Sequence, residues 1–202
     1  MKQNVAILLF DEVEVLDFAG PYEVFAKTDE LLGYETFSVF TVAAPGPAGM
    51  AAPKRPIRTR NGLSVNPDHD FASCPAPHLL IVPGGFGTRA LLKDEDTLSW
   101  IRTTAASAEL VMSVCTGSLV LAKAGLLDGL RATTHFERLE LLRQLAPGTE
   151  VVATERYVDN GRILTAAGIS AGIDCSLHVV ERLLGPDAAA KTARQMEYRW
   201  KS

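Results

Sequence analysis

Cys115 follows the apolar run Leu110–Val114 and precedes Thr116-Gly117-Ser118, after which Leu119 to Ala124 continue with helical character. A cysteine at a strand-to-helix junction among small residues reads as a nucleophile elbow carrying sulfur in place of oxygen. The N–H groups at the start of the following helix favour negative charge, so the spacing predicts a thiolate with a lowered pKa. The other two cysteines differ in context. Cys74, before Pro75, and Cys175, within an apolar helical stretch, read as packing residues.

A carboxyl group, an oxyanion-type hole and a base are the usual companions of such a nucleophile. Asp17 lies in Glu14-Val15-Leu16-Asp17-Phe18-Ala19-Gly20-Pro21. It reads either as the N-cap of a helix that begins at Phe18, or as a carboxyl group beside the sulfur. In the second role a neighbouring thiolate raises its pKa, and the protonated acid donates to sulfur and later delivers a proton. Asp11, Glu12 and Glu14 of the same loop are expected in solvent. Pro83-Gly84-Gly85-Phe86-Gly87 is either a plain tight turn or a loop presenting amides, in which case the N–H groups of Gly85 and Thr116 together form the hole. The G-x-G-x-x-G and P-loop spacings are both absent, which weakens a phosphate-binding reading. Of four histidines, His135 in Thr133-Thr134-His135-Phe136 is the candidate base. His69 is expected in an exposed loop, His78 at the start of a strand, and His178 packed in a helix. Their spacing provides no metal cluster.

The elements that must position these residues follow from alternation of apolar runs with helical segments. Strands are expected at Val5–Phe10, Phe37–Ala44, His78–Val82 and Leu110–Val114, with hairpins turning at Asn61-Gly62 and Asn160-Gly161. The periodicity predicts helices over Phe18–Leu32, 94–106, Ser170–Leu184 and Asp187–Trp200. Pro45-Gly46-Pro47-Ala48-Gly49 reads as a loop. Short buried strands alternating with helices imply one α/β domain, residues 1–202, with a mainly parallel central sheet. Ligands of such sheets sit at the carboxyl ends of the strands, where the Asp11–Gly20 loop, the Pro83–Gly87 loop and Cys115 are all expected.

Bulk composition narrows the classes. The chain has 202 residues, 47% of them hydrophobic and 22% charged, which is ordinary for a globular domain. A formal net charge of −4 with scattered arginines points to no nucleic-acid or acidic-membrane partner. Three cysteines without C-x-x-C spacing, no signal-peptide pattern and no membrane-length apolar run give a soluble, cytoplasmic expectation.

Taken together, Leu16–Pro21, Val82–Gly87, Ser113–Ser118, Thr133–His135 and Ala167–Asp174 resemble the DJ-1/PfpI superfamily (class I glutamine amidotransferase-like) over nearly the whole chain. The pattern is most similar to its isonitrile hydratase-type members. The resemblance implies a flavodoxin-like three-layer sandwich, a site formed by Cys115, Asp17 and Thr116 with Gly85 near the substrate, a small-molecule substrate, no cofactor and a homodimer. Thr116 stands where related proteases, glyoxalases and deglycases commonly carry a histidine, and an aspartate stands where they carry a glutamate. The residues to Ser202 are expected to leave no room for the helix-turn-helix module of the sensing members. Two other readings remain at this point: action on reactive carbonyls with His135 as helper, and a non-catalytic stress-response or redox protein whose Cys115 is oxidised.

Overall fold

In the computed structural model, which describes residues 2–46 and 56–200, the continuous apolar runs form the middle of one sheet. The elements in chain order are β1 (Gln3–Leu9), α1 (Val15–Leu31), β2 (Phe37–Ala43), β3 (Ile57–Arg58), β4 (Ser64–Val65), β5 (His69–Asp70) and β6 (Leu79–Val82). There follow α2 (Thr88–Leu91), α3 (Glu95–Ser107), β7 (Leu110–Val114), α4 (Gly117–Lys123), β8 (Arg131–Ala132), a 3-10 turn at Phe136–Arg138 and α5 (Leu139–Leu145). The last are β9 (Glu150–Val151), β10 (Tyr157–Asp159), β11 (Ile163–Ala166), α6 (Ala171–Leu184) and α7 (Pro186–Gln195).

Seven strands make the central sheet in the order β10-β11-β7-β6-β1-β2-β5. All neighbours run parallel except β10 and β11, which form the expected hairpin through Asn160-Gly161. Residues of β6, β7 and β11 are buried throughout, as is β1 from Val5 to Leu9. A parallel strand covered on both faces has no position for an alternating polar residue, which is why these segments read as unbroken apolar runs. The helices pack as two groups, α1 with α6 and α7, and α4 with α2, α3 and α5. The α/β fold with a mainly parallel sheet flanked by helices is the one the sequence implies.

From β1 the chain moves to β2 and β5, then returns across β1 to place β6, β7 and β11 on its other side. The strand order therefore reverses between β1 and β6. In doubly wound sheets the crevice beyond the strand ends at such a reversal is the place for ligands. Here the two loops that leave the reversal are tied together. Val13 and Gly85 form an antiparallel bridge, Glu14 N–H donates to Gly84 O at 3.0 Å, and Gly87 N–H donates to Glu12 O at 3.2 Å.

Several local expectations shift. Helix α1 starts at Val15 with Glu14 as its N-cap, so Asp17 lies in the first turn rather than ahead of it. His69 belongs to edge strand β5 and packs edge-on against Phe40 instead of lying in an exposed loop. The hairpin through Asn61-Gly62 forms, but as a separate two-stranded pair, β3 with β4. The last helix ends at Gln195, short of Trp200. The β8–β9 parallel pair has no counterpart in the apolar pattern, because two-residue strands leave no periodic trace. Of the proline-glycine loop, Pro47–Gly49 lies outside the described residues. Among the described residues, no helix is long and apolar enough to cross a membrane.

Candidate active site

Cys115 directly follows β7 with φ of 55°, the left-handed region that non-glycine residues seldom occupy. The surroundings hold it there. Its N–H is shared between Ala166 O and Ala167 O at 3.1 and 2.9 Å. Its carbonyl accepts from Thr134 Oγ1 at 2.9 Å and from Ser118 Oγ at 3.1 Å. Two positions after the sulfur the chain passes so close to β6 that a Cβ on Gly117 would lie 2.0 Å from Val82 O. The small residue that the elbow requires is required by the backbone of the neighbouring strand. Strain kept in place by so many contacts is typical of functional positions.

Asp17, from the first turn of α1, reaches the same point and is fully buried. Its Oδ2 accepts from Gly84 N–H at 3.0 Å, while Oδ1 is buried without a hydrogen-bond partner. A Cβ on Gly84 would lie 2.5 Å from Thr116 N and 2.8 Å from Asp17 Oδ2, so only glycine lets the end of β6 touch both. Burial, followed by the charge of Glu14, pushes the Asp17 carboxyl up to about 7, against the pull of Gly84 N–H and of the Cys115 thiol.

The thiol behaves differently from expectation. Burial, then the charge of Asp17, pushes Cys115 up to about 12. The amides of Ile169 and Thr116 pull the other way, but burial outweighs them. This corrects the lowered thiol pKa expected from the helix start: Cys115 is only 6% exposed, and a thiolate in that setting loses its hydration beside a second acid. Between pH of about 7 and 12 the pair holds one proton, and that proton rests on sulfur.

A second correction concerns the oxyanion-type hole. Gly85 N–H is occupied, donating to Thr116 Oγ1 at 3.0 Å. The Thr116 hydroxyl donates to Gly85 O at 3.2 Å, and Thr88 Oγ1 adds bonds to Gly85 O and Thr116 Oγ1. Thr116 therefore buttresses the Gly84-Gly85 loop with its side chain and faces the sulfur with its amide. The amide that joins it at the sulfur is that of Ile169, not Gly85. Ile169 is itself left-handed, with φ of 45°, just beyond the carboxyl end of β11. Residue type offered no sign of it. The adjacent glycine is the nearest sequence signal, since a Cβ on Gly168 would meet the His135 ring at 2.7 Å.

Thr116→Val keeps the shape but leaves the buried Gly85 N–H without an acceptor. A loss of about 1–3 kcal/mol in unfolding free energy is expected. Thr116→Ser retains most of it, and urea melts of the two variants check the difference.

A cavity of about 380 Å³ opens above Cys115, lined by Glu14, Gly85, Thr116, His135 and Ile169 among others. His135 is half-buried at its wall, with Nδ1 accepting from Glu137 N–H and the ring against Phe136. It makes no hydrogen bond to the sulfur. His78 accepts from Asn4 N–H, and His178 pairs with Asp159 at 2.8 Å, both away from this cavity. Among the described residues, no three His, Cys, Asp or Glu side chains converge as metal ligands. Cys175 is fully buried in α6, and Cys74 packs partly buried against the core.

Residues 3–182 match the model of the DJ-1/PfpI family. The chain belongs to that family. It is 38% identical to an isonitrile hydratase of Pseudomonas putida over 98% of this chain and 79% of that protein. It is 28% identical to the HTH-type transcriptional regulator GbdR of Pseudomonas aeruginosa, over 97% of this chain but only 51% of that one. A crystal structure of a ThiJ/PfpI family protein from Pseudomonas syringae superposes with a TM-score of 0.83 at 29% identity, covering all of this chain and 77% of that one. Drosophila melanogaster DJ-1beta superposes at 0.82 with 18% identity over 99% of this chain and all of that one, a likeness of fold.

Proposed function

We propose that this DJ-1/PfpI family member hydrates an isocyanide to an N-substituted formamide. The observation that carries the reading is a buried carboxyl, Asp17, set beside a buried thiol, Cys115, where the chain leaves β1 and β7. The 38% identity to an isonitrile hydratase supports it.

An isocyanide carbon must receive both a nucleophile and a proton, and the pair supplies both. Asp17 carboxylate takes the Cys115 proton as sulfur bonds to the terminal carbon of R–N≡C, and the same proton passes to that carbon. The product is the thioimidate R–N=CH–S–Cys115. Water adds to the carbon with its protons going to nitrogen and, through Asp17, to the departing sulfur, leaving R–NH–CHO and the free thiol. The Thr116 and Ile169 amides stabilise negative charge on sulfur during both steps. Every group used is protein or water.

The sensor reading needs a thiol ionised at rest, and burial works against that. The reactive-carbonyl reading draws on His135, which lines the cavity without touching sulfur. Incubation with cyclohexyl isocyanide and, separately, with methylglyoxal divides them. Formamide is expected from the first; lactate from the second without any formamide overturns the proposal. The homodimer implied by family resemblance is part of this reading, and light scattering checks it.

A further inference from the structure

The cavity above Cys115 has an uneven charge lining that the hydration chemistry does not require. Three arginines, Arg60, Arg89 and Arg138, line it against two acids, Glu14 and Glu137. Among the described residues none of the three arginines forms an ion pair with a carboxylate. Elsewhere Arg102, Arg131, Arg143, Arg156 and Arg182 have one, while Arg58, Arg162, Arg194 and Arg199 have none among the described residues. It is the convergence at the cavity, rather than the lack of a partner, that sets Arg60 and Arg89 apart.

Two of the three are also held in place. The guanidinium of Arg89 lies 4.1 Å from the centroid of Phe86 and that of Arg60 lies 5.5 Å from the same ring. Arg89 further donates to Phe86 O at 3.3 Å. Phe86 is 47% exposed, a large apolar side chain left at the cavity rim in the loop that supports the site. A guanidinium stacked on a ring keeps its N–H donors at its edge, free for a planar anion, and loses less freedom when it binds one. Arg60 and Arg89 come from separate segments, the β3–β4 turn and α2, and converge on one aromatic ring.

We propose that Arg60 and Arg89, stacked on Phe86, select substrates that carry a carboxylate or similar anion in addition to the electrophilic carbon. An isocyano carboxylic acid is the matching class. The isocyanide part rests on the function proposed above; the charge selection stands on the arginines and is tested separately.

Iodoacetate and iodoacetamide are nearly the same size, deliver their carbon to sulfur in the same displacement of iodide, and differ in one negative charge. Alkylation of Cys115 by each, followed by mass spectrometry of its peptide, gives a rate ratio for the intact protein, with 2-mercaptoethanol as an uncharged reference thiol. In Arg60→Gln/Arg89→Gln the iodoacetate-to-iodoacetamide ratio is expected to fall about threefold or more relative to the original protein. Arg60→Lys/Arg89→Lys, which keeps the charge, is expected to recover part of it. Both arginines are exposed, and thermal melts confirm that the variants fold. A smaller fall, or none, overturns the proposal.

A parallel comparison of isocyanoacetate with its methyl ester separates the two claims. If neither isocyanide is consumed while the alkylation ratio falls, the hydratase reading fails and charge selection stands. If the ester is hydrated while the alkylation ratio does not move, charge selection fails and the hydratase reading stands.

Discussion

Cys115→Ser abolishes formamide production from cyclohexyl isocyanide, with an expected loss of at least about 10⁴-fold in kcat/KM. Serine is nearly isosteric and keeps the left-handed backbone no worse than cysteine, so the elbow survives. Its hydroxyl is a far weaker acid than a thiol, and a carboxylate titrating at about 7 is too weak a base to remove its proton. Urea melts close to those of the original protein, together with absent turnover, are the expected pair of results. Formamide formed at a comparable rate by the serine variant removes the covalent step.

Asp17→Asn is expected to lower the hydration rate by about 10²–10⁴-fold, the range of one proton-transfer group. The pH dependence carries more information. Below about 7 the pair holds two protons and has no base. Above it the pair holds one and is competent. The rate of the original protein therefore rises with pH through about 7 and stays level to the alkaline limit of the assay. The asparagine variant loses that step. A rate that falls as pH rises through 7 would mean that the doubly protonated pair is the active form.

The effect of the same substitution on stability is expected to depend on pH. The folded-state carboxyl sits at about 7 against an ordinary value of 3.8, so between these pH values the folded state binds the extra proton. Stability of the original protein thus falls as pH rises from about 4 to 7, by a few kcal/mol in total. Asparagine carries no charge to bury and can still accept from Gly84 N–H. Its remaining amide lacks a partner, at a cost of about 1–3 kcal/mol. Urea unfolding should show Asp17→Asn no less stable than the original protein at pH 8 and less stable at pH 5. The opposite order means that Asp17 is ionised at little cost in the fold.

These expectations depend on features that the chain discloses unequally. The buried strands, the elbow at Cys115 and the gathering of Asp17, Gly84-Gly85 and Cys115 at the ends of a parallel sheet are local in origin. Unbroken apolar runs and small residues at a sharp bend have few other structural outcomes, and strand ends in this topology share one crevice. Four properties needed the tertiary structure. The register of α1 decides that Asp17 lies within the first turn and points inward. The Gly85 amide closes on the Thr116 hydroxyl, 31 residues away in sequence, and leaves the Ile169 amide to meet sulfur. Two arginines from separate segments meet on Phe86. The resting proton lies on Cys115 because burial outweighs the nearby amides, and burial is set by every segment packed around an atom. Sequence alone named the groups that can exchange a proton; the packing of distant segments decided which of them holds it.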